Sequence, residues 1–191
     1  STLFPYTTLF RSRDIRNGKG TEIFENGNKY EGEYVNEIIE GKGKMTYKNK
    51  DVYTGAFHEG QRHGKGEQRF GDGRFYSGDW VNDKKEGKGK MTMKNKEYYE
   101  GDWKNDLREG QGLFHWPNGQ EFRGGYLNDL KEGPGSIFWA SNGQRLEANF
   151  SKGEIIETAT RYYSNGDVYE QTYENGKRVS EKKIKGGTKH L

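Results

Sequence analysis

The chain has no cysteine, only three prolines and three methionines, and a hydrophobic content of 29%. Without cysteine there are no disulfides and no thiolate metal sites, which together with the lack of a signal-peptide layout points to a cytoplasmic setting. No apolar run approaches the roughly 20 residues of a membrane-spanning helix. Charge of one sign is also missing: 32 basic and 29 acidic residues are interleaved and leave a net +3. That balance argues against nucleic-acid binding, which needs a concentrated basic surface. Histidine is scarce, with His58, His63, His115 and His190, and no third ligand stands at fitting distance from His58 and His63 for a metal site. So low an apolar content would by itself predict disorder.

What the chain has in abundance is glycine and aromatic residues, 29 glycines and 27 rings, set in a strict order. YSGDWVNDKKEGKG (76–89) returns as YEGDWKNDLREGQG (99–112). One column runs Tyr30, Tyr53, Tyr76, Tyr99, Phe122, Leu146 and Tyr169, in steps of 23 residues with a single 24. Four positions later stand Tyr34, Phe57, Trp80, Trp103, Tyr126, Phe150 and Tyr173, with Gly32, Gly55, Gly78, Gly101 and Gly124 between the columns. Paired glycines follow at 41/43, 64/66, 87/89, 110/112 and 133/135. A third column holds Phe24, Tyr47, Phe70, Met93, Trp116, Trp139 and Tyr163. A fixed period of this length signals stacked units that bury their apolar faces only against neighbours.

Alternation of large and charged residues makes each unit a β-hairpin. The fold expected is all-β, an elongated, single-layer, twisted antiparallel meander of stacked hairpins. Asn26-Gly27, Asp72-Gly73, Asn118-Gly119 and their equivalents predict tight two-residue turns between units. Asn49-Lys50 and Asn95-Lys96 predict looser ones, and the turn inside each unit, such as VNDKKEG (81–87), reads as longer. Tyr30, Gly32 and Tyr34 share one face, with Gly41, Gly43, Met45 and Tyr47, and rings from neighbouring strands are expected to fill the pits that the glycines leave. The opposite face carries ladders such as Glu31 and Glu33 beside Lys42 and Lys44.

The pattern Y-x-G-x-[W/Y/F], a polar turn, [H/E]-G-x-G and Asn-Gly resembles the MORN repeat (membrane occupation and recognition nexus), most closely in Tyr53–Gly73. The resemblance implies a non-catalytic scaffold for protein–protein interaction, and carries a weaker association with acidic phospholipids. It covers residues 18–176, about six repeats. Residues 1–17 lie outside it; STLFPYTTLFRS (1–12) resembles translated adapter sequence, or, if native, a short strand or a cover for the sheet edge. Residues 177–191 read as a basic polar tail. Leu146, Ala148, Glu157 and Ala159 break the sixth unit, as expected of a terminal cap.

No catalytic constellation, cofactor loop or metal set emerges. The carboxylates recur where a catalytic pair would be singular, and GKGK (41–44) precedes a strand where a phosphate loop would precede a helix. His63 takes a place held elsewhere by Glu40, Glu86, Glu109 and Glu132. Function is therefore expected where units differ. Phe75, Tyr98, Leu113, His115 and Phe138, with Pro134, put apolar groups on the charged face and form a candidate protein-binding face. Lys84, Lys85, Lys88 and Lys90, and the tail residues Lys182, Lys183, Lys185 and Lys189, are candidate contacts to anionic lipid. The expected partners are thus an unidentified protein, at a membrane or cytoskeletal structure, an acidic phospholipid surface as the alternative, and a second copy through unpaired sheet edges. A further alternative is a targeting module of a larger enzyme.

Overall fold

A computed structural model describes residues 11, 12 and 15–187; the expectations for residues 1–10, Lys189 and His190 lie outside them. The described residues contain no helix. They divide into two compact units, Ser1–Lys94 and Asn95–Leu191. In the first, the two-residue β1 (Arg11–Ser12) and β2 (Ile15–Arg16) pair with each other. Then follow β3 (Gly18–Ile23), β4 (Lys29–Val35), β5 (Ile38–Thr46), β6 (Val52–His58), β7 (Gln61–Arg69), β8 (Phe75–Val81) and β9 (Lys84–Thr92). The second holds β10 (Tyr98–Lys104), β11 (Leu107–His115), β12 (Glu121–Leu127), β13 (Leu130–Trp139), β14 (Gln144–Ser151), β15 (Glu154–Tyr162), β16 (Val168–Glu174) and β17 (Lys177–Lys185). From β3 onward each unit is an antiparallel meander in which successive strands pair. Residues 177–185, expected as a tail, continue this meander as β17, because Lys182 and Lys183 find register partners in Glu170 and Tyr169.

One lock explains the aromatic and glycine columns. Tyr30, Tyr53, Tyr76, Tyr99 and Phe122 are fully buried. Each tyrosine ring lies over the glycine two residues ahead on its own strand and over that glycine's partner on the next: Gly32 faces Gly43, and Gly55 faces Gly66. The ring thus comes from the neighbouring strand for the second glycine, as expected, and from the same strand for the first. A Cβ on Gly66 would sit 2.5 Å from the Tyr53 ring. The first glycine of each pair serves differently: Gly41, Gly64, Gly87, Gly110 and Gly133 have φ between 63° and 79°, in a bulge that sets extra residues against the facing strand. A Cβ on Gly41 would strike Glu33 on the charged face, so Gly41 does not share the aromatic face. The tyrosine hydroxyls reach into this irregularity and donate to main-chain oxygens, from Tyr30 to Glu33, Tyr53 to Ala56, Tyr76 to Asp79 and Tyr99 to Asp102, at 2.8–3.0 Å. The rings meet the second column edge to face, as Tyr53 does with Phe57 at 5.0 Å and with Trp80 at 5.5 Å, the arrangement that aromatic quadrupoles favour.

The turns are the reverse of the expectation. The hairpin tips inside each repeat are the two-residue turns: Asn36-Glu37, Asn82-Asp83, Asn105-Asp106 and Asn128-Asp129 all have positive φ at both residues, which Asn and Asp tolerate. The charged residues after each tip are already strand. The Asn-Gly and Asp-Gly sites between repeats form three-residue loops, as where Gly27 N–H donates to Phe24 O at 2.9 Å and Asn26 Oδ1 accepts from Asn28 N–H, whereas Asn175-Gly176 is a two-residue tip as expected. Lys50 adopts the glycine conformation there, with φ 73°, and its loop closes with the same 2.9 Å bond to Tyr47 O. That loop is no looser than the others. Where WASNG carries one residue more, the loop absorbs it, both Asn142 and Gly143 donating to Trp139 O.

Candidate functional site

On the charged face of the second unit, register joins Tyr98 to His115, His115 to Glu121, Glu121 to Phe138, Phe138 to Arg145 and Arg145 to Tyr162. Tyr98 and His115 stack at 4.8 Å, and the Arg145 guanidinium lies 4.5 Å over Tyr162. Phe138 is exposed. Leu113 stands in the adjoining row, opposite Glu100 and Arg123. His115 Nδ1 is buried without a hydrogen bond and faces Glu121 Oε1 at 3.5 Å. Four of the five expected face residues thus lie close together. Phe75 belongs to the first unit, where Arg69 covers its ring at 4.7 Å.

Register separates Lys85 and Lys183 from the other candidate lysines. Adjacent strand residues point to opposite faces, so Lys84 and Lys85 separate. Lys85 pairs in register with Trp80 and brings its ammonium 5.8 Å from the Tyr76 ring, on the aromatic face. Lys88 N–H donates to Asp79 Oδ2, and Lys90 faces Ser77. On β17, Lys183 binds Asp167 Oδ1 at 2.7 Å, which raises the lysine pKa and lowers that of the carboxyl. Lys182 faces Glu170, and Lys185 faces Val168.

The sequence reading missed a row on the aromatic face. Arg16, Ile39, Arg62, Lys85, Arg108 and Lys131 recur every 23 residues. Arg62 lies 4.2 Å over Trp80, bonds Asp83 Oδ1 through Nε at 2.9 Å and reaches Gln68 Oε1 at 3.1 Å. Gln68 is buried in the column of Met45 and Met91. Arg108 repeats the arrangement with Asp129 at 2.9 Å and Tyr126 at 5.0 Å. Long aliphatic stems close the aromatic face, and the cation–ring contact adds attraction. The signal was present in the 23-residue spacing, hidden because the charges were assigned to the opposite face.

At one hairpin tip His58 Nδ1 lies 3.1 Å from Glu40 Oε1, raising the histidine pKa and lowering that of the glutamate, whose largest influence is the N–H of Glu59. His63 sits beside His58, their rings 5.5 Å apart. Among the described residues no group of three or more His, Asp or Glu could hold a metal ion.

Similarity to solved structures is at the level of fold. The TCP10 domain of Danio rerio CPAP matches over 87% of this chain and 90% of its own, at 11% identity and a TM-score of 0.52. The TCP domain of Drosophila melanogaster SAS-4 (dCPAP), solved with a proline-rich motif of Ana2 (dSTIL), matches over 97% of both chains at 14% identity and a TM-score of 0.49. No curated protein matches the chain. The MORN repeat model matches six successive segments, 12–29, 30–52, 53–73, 76–97, 99–121 and 122–144. The first of them begins within the segment set apart as non-repeat, in keeping with Arg16 opening the basic row. The locked Tyr-x-Gly columns and these six matches together place the chain in the MORN repeat family.

Proposed function

We propose that the chain is a non-catalytic scaffold that binds a protein partner in the cytoplasm, at a membrane or cytoskeletal structure. One observation carries this reading: Tyr98, His115, Phe138 and Tyr162 form a cross-strand row with Leu113 beside it, on a face that elsewhere carries charge ladders. Stacking buries the rings of the first two columns from Tyr30 to Phe150, and rings on the charged face take no part in that lock. Aromatic groups held rigidly on a sheet give large contact area at little entropic cost. Quantitative affinity capture with wild type against Tyr98→Ser/Phe138→Ser tests it. The expected result is one set of proteins lost from the variant while its thermal melting is unchanged; identical captured sets would refute the assignment to this face.

The lipid reading is weaker, since Lys85 turns to the aromatic face and Lys183 is paired with Asp167. Co-sedimentation with phosphoinositide vesicles at about 50 and 200 mM salt decides it, because electrostatic attachment falls steeply with ionic strength. Dimerisation through sheet edges predicts a concentration-dependent mass in analytical ultracentrifugation.

A further inference from the structure

The basic row obeys a pairing rule. Where the row holds an arginine, the tip of the next hairpin supplies an acid: Arg16 has Glu37, Arg62 has Asp83 and Arg108 has Asp129. The tip residue also donates its N–H to the row residue's carbonyl, as Asp83 does to Arg62 and Asp129 to Arg108. Where the row holds isoleucine, the tip residue is glycine. Gly60 N–H donates to Ile39 O at 2.9 Å, and Ile155 stands in the same relation to Gly176 by sequence.

Lys131 breaks the rule. It is a cation, yet the tip residue whose N–H reaches its carbonyl, at 2.9 Å, is Gly153. A Cβ on Gly153 would meet no atom within 4 Å, so the space that Asp129 fills beside Arg108 is open beside Lys131. The Lys131 ammonium is half-buried, 4.7 Å from the Phe122 ring, 5.6 Å from Phe150 and 5.7 Å from Trp116. No carboxylate of the described residues pairs with it. Burial first, and then Arg108, push its pKa down, the direction expected of an ammonium without a counterion.

We propose that Lys131 and the open seat at Gly153 receive an aspartate or glutamate side chain of a protein partner, presented on a short acidic peptide segment. The inference rests on the reading of the chain as a protein-binding scaffold and supplies a chemistry for its partner. A single carboxylate fits because one carboxylate occupies the equivalent seat at Arg62 and Arg108. A phosphate favours several convergent donors, or the forked donors of arginine, and Arg108 is already engaged by Asp129. Trp116, which is part-exposed, gives the segment's apolar neighbours a surface beside the charge.

The probe is a displayed library of random twelve-residue peptides, selected on the full 191-residue chain. The strongest binders are synthesised as found and with each Asp or Glu changed to Asn or Gln. Their affinities are measured by fluorescence anisotropy for wild type, Lys131→Ile, Gly153→Asp and Phe138→Ala. Lys131→Ile copies the residue found at 39 and 155. Gly153→Asp restores an internal acid at the tip position where Asp83 and Asp129 also have positive φ, 67° and 68° against 92° at Gly153. The two variants therefore close the site from opposite sides, and both follow patterns that the fold already uses.

The expected result is a set of acidic binders that weaken at least tenfold when one carboxylate is neutralised. They weaken at least tenfold again on either Lys131→Ile or Gly153→Asp, and are indifferent to Phe138→Ala. Binders unaffected by both site variants overturn the inference and leave the scaffold reading standing. Loss on Phe138→Ala alone does the same and assigns the charged face. A library without acidic binders overturns the inference; one without any binders counts against the scaffold reading as well. Phosphoinositide vesicles that require Lys131, with no peptide that does, overturn it in favour of a lipid headgroup.

Discussion

The lock between ring and paired glycines makes Gly66→Ala a sharp perturbation. The new Cβ would lie 2.3 Å from Tyr53 Oη and 2.5 Å from Cε2 and Cζ. Since carbon atoms rest roughly 3.5–4.0 Å apart, the ring must retreat by about 1 Å or more. It has nowhere to go, being fully buried, held edge to face by Phe57 and Trp80, and tied to Ala56 O at 2.8 Å. Overpacking costs about 1–3 kcal/mol, and a carbonyl stripped of its donor about 1–3 kcal/mol. The lower chain entropy of alanine in the unfolded state returns about 0.4–1 kcal/mol. The net loss expected is roughly 2–4 kcal/mol.

Urea unfolding followed by tryptophan fluorescence and circular dichroism measures this loss. The same substitution in a Tyr53→Leu background completes a double-mutant cycle, and there its cost should fall below about 1 kcal/mol. The protein already contains that combination. In the unit that follows the last matched repeat the ring position is Leu146, and the two glycine positions are Ala148 and Ala159, which face each other in register. Equal costs in the two backgrounds would show that contact with the ring is not what excludes a side chain at Gly66.

Three further outcomes follow from the same geometry. Lys50 and Glu157 occupy positions that glycine holds in other repeats, with φ of 73° and 57°, so Lys50→Gly and Glu157→Gly should each raise stability by about 0.5–1 kcal/mol in urea titrations, the relief of left-handed strain outweighing the entropy that glycine adds. Burial pushes Tyr30 and Tyr126 up to about 12, while an unfolded tyrosine ionises near 10; their contribution is full below pH 10 and is lost as pH rises towards 12, so the phenolate absorbance of the buried tyrosines should climb only as the circular dichroism collapses, and a smooth titration of all tyrosines near pH 10 with intact structure would refute their burial. His58 is raised above its ordinary 6.5 by Glu40, and Glu40 is lowered below 4.5; the pair therefore stabilises most between those values, and NMR should find that Glu40→Gln brings the His58 pKa down, an unchanged titration breaking the link.

Much of this architecture was legible because the stacking lock needs particular residues at fixed register. A ring at Tyr53, an unsubstituted Cα at Gly55 and another at Gly66 leave few alternatives, and the period repeats the statement. The turns were misread because Asn-Gly suits two loop types, and the sequence alone does not say whether Gly27 ends a three-residue loop or forms half of a two-residue tip. The basic row was missed for a related reason. The bulge at Gly41 sets extra residues between Gly43 and Ile39, so which face Arg62 or Lys85 reaches depends on how many residues the bulge absorbs. Tyr98, His115 and Phe138 were found on the charged face because simple alternation holds there.

The two faces divide stability and specificity between them. Rings and paired glycines hold neighbouring hairpins together along the middle of the strands, whereas the row residue and its tip partner meet at the strand ends. An exchange there leaves the Tyr53–Gly55–Gly66 contacts untouched, which is why the chain uses Ile with Gly at 39 and 60 and Arg with Asp at 62 and 83 in adjacent repeats of one sheet. In a single-layer sheet the outcome of each exchange is not hidden beneath a second layer. A charge whose partner is missing is presented outward, and at Lys131 the missing partner is an acid. Selection on a partner can therefore act at Lys131 and Gly153 without disturbing the contacts that hold the hairpins in register.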